Sequence, residues 1–129
     1  IIGIMKAMIW PLSADPNDPN EVSSAERFYQ FGTGWMLQPI FGAHGDYPEV
    51  MKQIVRMRSE IQGFPRSRLP EFSAEQIELI KGSADFLGVN YYKGHLVKNK
   101  VADNNEISYL ADIGAEWKFG TTAMTFDQR

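Results

Sequence analysis

The stretch Ser73-Ala-Glu-Gln-Ile-Glu-Leu-Ile-Lys-Gly-Ser-Ala-Asp-Phe-Leu-Gly-Val-Asn-Tyr-Tyr92 decides the fold class. Ser73 followed by Gln76 has capping-box spacing, Phe72 and Ile77 flank it as a hydrophobic staple, and Gly82 stands where a helix-terminating glycine belongs. Phe86 to Tyr92 then reads as a strand. A helix that turns straight into a strand is one step of an α/β protein, and such folds place their ligand sites at the carboxyl ends of parallel strands. Period-two alternation puts Phe86, Gly88, Asn90 and Tyr92 on one face and Leu87, Val89 and Tyr91 on the other. Asn90 and Tyr92 are therefore the first candidates for contact with a ligand.

Outward from this stretch, residues 2–10 form a mostly apolar run before Pro11, as expected of a strand buried on both faces. Residues 13–20 are dense in turn formers and form a loop. Ser23 with Glu26 repeats capping-box spacing, and Phe28, Phe31, Trp35 and Met36 predict a helix over about 24–37 that Pro39 ends. Gly32 and Gly34 weaken that helix and imply close packing against another backbone. Pro48 suits the first position of a further helix through Met51, Ile54, Val55 and Ile61 to Gly63, with its charges pointing outward. Beyond Lys93 the pattern is diluted, although residues 109–119 have room for a short strand around Trp117.

The chain has 129 residues, 43% of them hydrophobic, which is enough for one domain with a sizeable core. A net charge of −3 supplies no basic footprint, so nucleic acid is not the expected partner. There is no cysteine, which excludes disulfides and thiolate metal sites. No apolar run is long enough for a membrane span, and the first residues have no leader pattern. The chain begins inside a strand pattern and stops without a terminal element, and an internal fragment of a longer protein is expected.

Local motifs carry little chemistry. His44 and His95 show no metal-ligand spacing. His44 lies in a glycine-rich turn, and His95, just beyond the strand end, is the better placed for a pocket rim. No nucleophile elbow or phosphate loop occurs, and Gly32-Thr-Gly34 lacks the third glycine of a dinucleotide fingerprint. Glu75 and Glu78 read as a solvated helix face.

Taken in order, Gly3-Ile4, Trp10, Ala25-Glu26-Arg27, Phe31 to Phe41, Gly45-Asp-Tyr-Pro48, Ser67-Arg-Leu-Pro-Glu-Phe72, Ile80 to Phe86 and Gly88-Val-Asn-Tyr-Tyr92 resemble glycoside hydrolase family 1 over residues 2–97. That family contains β-glucosidases, lactase-phlorizin-type enzymes and myrosinases on a (β/α)8 barrel. The resemblance implies an α/β fold in which 1–129 is part of a single barrel domain. Residues 2–10 would be the fifth strand, about 24–84 the crossover and 86–92 the sixth strand. Members hydrolyse β-glycosides with retention through two glutamates, an acid/base in Asn-Glu-Pro and a nucleophile in Glu-Asn-Gly. Neither motif occurs here. Asn20-Glu21 and Asn105-Glu106 continue with Val22 and Ile107 in turn-rich segments, and both are rejected. What the resemblance carries over is Tyr92, donating a hydrogen bond to the nucleophile, and Asn90, lining the same pocket.

Lys6-Ala7 and Gln38 depart from the family pattern, which leaves the leaving-group preference open. The partner expected is a small-molecule β-glycoside, with no cofactor and no metal. The texture of the sequence is closest to animal relatives, insect ones especially, which suggests a secreted parent. The isolated piece is expected to be inactive. The alternative is a catalytically dead carbohydrate-binding or interaction remnant of the same fold.

Overall fold

The computed structural model describes residues 1–119. In chain order the elements are β1 (Gly3–Ser13), α1 (Pro19–Tyr29), a π-helical turn (Gln30–Gly34), α2 (Trp35–Phe41), α3 (Glu49–Ile61), α4 (Ala74–Ile80), β2 (Phe86–Asn99), α5 (Tyr109–Ile113) and β3 (Ala115–Phe119). The strands form one sheet in the order β1-β2-β3. β1 and β2 are parallel, joined by the helical crossover that such a pair requires, and β3 returns antiparallel to β2. Ser73 caps α4 with a complete capping box, as its spacing predicts. The strand expected around Trp117 is β3.

Several boundaries differ from those predicted. β1 continues through Pro11 to Ser13, where Pro11, Leu12 and Ser13 stay in register with His95, Leu96 and Val97. β2 does not stop at Tyr92 but runs to Asn99, since its second half gains partners on both sides: Pro11 to Ser13 in β1 and β3 beyond. α1 begins at Pro19, not near Ser24. Asp18 is the N-cap, its carboxylate accepting from the Asn20 N–H at 2.8 Å, with proline in the first turn.

Pro39 does not end its helix either. It lies inside α2, which runs to Phe41 and closes where the Gly42 N–H donates to the Gln38 carbonyl at 2.8 Å. The wide turn before α2 contains both Gly32 and Gly34. A side chain at Gly34 would collide with the Gln30 amide, so the close neighbour is a side chain and not another backbone.

The core lies between the helices and the second half of β2. Ala25, Phe28 and Phe31 from α1 and the π turn meet Met51 and Val55 of α3, Val97 of β2, Ile113 of α5 and Ala115 of β3. Ile9, Ile54 and Leu69 close its margin. The first half of the sheet is poorly covered: Met5 is 63% and Phe86 52% exposed.

Candidate functional site

The candidate site is built where β1 and β2 run side by side. Met5 lies over Gly88 and the Phe86 ring over Gly3, so closely that a side chain at either glycine would collide with them. Gly3, Met5, Phe86 and Gly88 therefore share a face. The register pairs Gly3 with Phe86, Met5 with Gly88 and Ala7 with Asn90. One step on, Asn90 stands beside Ala7 on that same open face. Asn90 is half-buried.

Tyr92 is set differently from what strict alternation predicts. The register runs Met8↔Tyr91 and then Trp10↔Gly94, so Ile9 alone in β1 faces two residues, Tyr92 and Lys93, in β2. The strand alternation is thus interrupted at Tyr92 itself. Tyr92 is 76% exposed. Its neighbour Tyr91 brings its hydroxyl to 3.7 Å from where a Gly94 Cβ would stand.

The other sequence candidates fall away from this site. His95 is not at a rim. It is 8% exposed, with its ring between Phe28 at 6.0 Å and Phe119 at 5.1 Å. Burial lowers its pKa from the ordinary 6.5; a hydrogen bond to the Lys93 backbone opposes this in part, and the Lys93 charge adds to it. The folded state therefore resists protonation: the stability contributed by His95 is present above about pH 6.5 and is lost as pH falls through the lowered folded value. His95→Leu is expected to flatten that part of the profile, read as the change in unfolding midpoint between pH 8 and pH 5. An unchanged pH dependence removes His95 as a contributor.

Asn20 and Glu21 lie in the first turn of α1, not in a loop, and Glu21 accepts from the Asn99 N–H at 2.7 Å. Glu106 offers its backbone carbonyl to Arg58. Trp117 packs its ring on Phe28 at 4.8 Å, a core contact. Gln38 donates to Gln30 at 2.9 Å, within the helices. Among the described residues no group of three or more histidine, cysteine or acidic side chains is arranged to hold a metal ion. No described helix is long and apolar enough to cross a membrane.

A buried ionic knot joins α3 to α5. Arg58 of α3 points inward, not outward, and its Nε donates to Asp112 Oδ1 at 2.8 Å. The two side chains are 3% and 4% exposed. Arg68 reaches the same carboxylate at 2.6 and 3.0 Å. A signal existed: Met51, Val55 and Arg58 recur at helical spacing, which puts Arg58 on the apolar face.

Two of the motifs outside β2 are joined by direct contacts. Asp46 accepts from the Tyr47 N–H at 2.7 Å and from Lys52 at 2.8 Å, and Tyr47 stacks on Phe72 at 4.4 Å. The segments around Gly45–Pro48 and Arg68–Phe72 thus pack on one another, remote in sequence from Asn90 and Tyr92.

A parallel strand pair with a helical crossover and polar residues along one strand is a piece of an α/β fold. The chain belongs to the glycosyl hydrolase family 1, whose model matches residues 1–126. It is 40% identical over 109 residues to the cytosolic β-glucosidase of Homo sapiens, covering 84% of this chain and 23% of that protein. It is 35% identical over 120 residues to myrosinase 1 of Brevicoryne brassicae, covering 90% of this chain and 25% of that protein. Among solved structures it is similar to an aphid myrosinase, with a TM-score of 0.73 and 30% identity over 87% of this chain and 24% of that one. A rice β-glucosidase mutant in covalent complex with glucose also has a TM-score of 0.73, at 29% identity over 89% of this chain and 22% of that one. The chain thus spans about a quarter of the length of these relatives.

Proposed function

We propose that the protein carrying this chain is a retaining β-glycosidase, and that the chain supplies the fifth and sixth strands of its (β/α)8 barrel. The observation that carries this reading is the family match over residues 1–126, together with Asn90 and Tyr92 on a strand paired in parallel with β1. Two further features support it. Relatives are matched over about a quarter of their length, and the open face of the sheet leaves Met5 and Phe86 exposed where further barrel wall would enclose them.

In this reading the substrate is a β-glycoside, cleaved at its O-glycosidic bond in two displacements that need two carboxylates. The chain holds neither the Asn-Glu-Pro nor the Glu-Asn-Gly motif, so alone it makes no glycosyl–enzyme bond. Tyr92 supplies a phenol donor to the nucleophile, and Asn90 lines the sugar pocket. The second reading, an inactive carbohydrate-binding remnant, shares the pocket and lacks the chemistry.

The test is to assay the full-length protein on an aryl β-glucoside and follow the anomeric configuration of the released sugar by NMR. Turnover with β-glucose as the first product is expected. Sugar binding without turnover favours the remnant, and inversion rules out the retaining mechanism.

A further inference from the structure

We infer that the register mismatch at Ile9 against Tyr92 and Lys93 is a positioning device: β2 carries one residue too many between two fastened registers, and the surplus sets the aim of Tyr92. The inference rests on the reading of Tyr92 as the nucleophile's hydrogen-bond donor and adds how that donor is placed.

Both ends of the strand pair are fixed. Before the mismatch, the Asp85 N–H donates to the Ile2 carbonyl at 2.7 Å, and the Ile2 N–H donates to the Asp85 carboxylate at 2.7 Å. After it, the Ala14 N–H donates to the Val97 carbonyl at 2.8 Å. Asn99 is then held twice from α1, its N–H by Glu21 at 2.7 Å and its side-chain oxygen by Arg27 at 3.1 Å. Arg27 also donates to the carbonyls of Ile113 and Gly114, which ties the end of α5 to the same point.

Absorbing the extra residue by sliding would move one half of β2 by about 3.3 Å, one strand step, and break these bonds. The surplus is therefore confined to Tyr92 and Lys93. Gly94, which follows, leaves room there: even a Cβ would stand 3.8 Å from the Trp10 carbonyl oxygen. A bulge re-aims the side chain it carries, and here that side chain is the phenol. The residue count between the anchors, and not any contact made by Lys93, is the operative feature.

The experiment uses the full-length protein and compares three variants: Tyr92→Phe, deletion of Lys93, and both together. Losing one hydrogen bond to a charged group lowers kcat about ten- to hundredfold. Deletion of Lys93 is expected to give a loss of that size, and the combined variant to be no worse than either alone. Both single changes should also move the acid limb of the kcat/KM profile to higher pH, because a carboxylate deprived of its donor protonates more readily. Losses that multiply, or full turnover after the deletion, overturn the inference while leaving the role of Tyr92 intact. If the deletion does not fold, insertion of an alanine after Ile9 evens the two strands from the other side and must give the same non-additive loss. If Tyr92→Phe alone keeps full turnover, the reading of Tyr92 fails and this inference falls with it.

Discussion

Replacing Asp112 with alanine is expected to destabilise the protein by about 3–5 kcal/mol, because it leaves buried cations without their anion. Arg58 and Arg68 both bind this single carboxylate, and the Arg58 and Asp112 side chains are almost wholly excluded from solvent. In water either guanidinium would be hydrated; inside, the carboxylate is what offsets the lost hydration. Arg58 makes three further bonds, to the Asn104 side chain at 3.2 Å and to the carbonyls of Asp103 and Glu106, each at 2.9 Å. Through them α3 holds the segment that leads from β2 into α5. Loss of Asp112 therefore strains one helix and one connection together. Arg58→Met removes a charge along with its bonds and should cost less than Asp112→Ala, and Arg68→Ala less again, since that side chain is 17% exposed. Thermal and urea unfolding of the full-length protein provide the check. A loss under about 1 kcal/mol for Asp112→Ala, the scale of an exposed pair, would rule out this account.

The second large effect is expected at Tyr92, where removal of one oxygen atom should lower turnover while leaving substrate affinity nearly unchanged. Phenylalanine keeps the ring and its packing and deletes only the donor. In the proposed mechanism the nucleophile attacks as a carboxylate, and a phenol O–H directed at it favours the ionised form and fixes its direction. A hydrogen bond to a charged group contributes about 1.5–3 kcal/mol, which corresponds to a loss of about ten- to hundredfold. Because in this proposal the donor contacts the enzyme's own carboxylate and not the sugar, the loss should fall on kcat and leave KM within about a factor of three. Because the ring is kept and a single oxygen atom is removed, the replacement should change stability little. A variant that unfolds early, or one that loses affinity in place of turnover, would assign Tyr92 another role.

Where sequence and structure agree, the signal was local. The Ser73 capping box closes over three residues, and a one-turn motif needs no distant partner to form. The Asp18-Pro19 start of α1 was equally local: a capping carboxylate followed by a proline is a stronger start signal than the Ser23–Glu26 spacing that obscured it. A charge on a helix normally faces water, and only the place of Arg58 on the Met51–Val55 face says otherwise. His95 is a buried strand residue because β2 runs past Tyr92 to Asn99, a continuation that the diluted pattern beyond Lys93 does not signal.

Residue identity and order alone gave the family, the absence of both glutamate motifs and the presence of Asn90 and Tyr92 on the strand that follows a capped helix. The tertiary structure alone decided the length of β2, its register slip against β1, the burial of His95 and the pairing of Arg58 with Asp112. Each of these depends on partners brought together across a long stretch of chain, Arg58 and Asp112 being 54 residues apart. Hydrogen-bond register and the exclusion of water are set when such partners meet, and no local pattern encodes them.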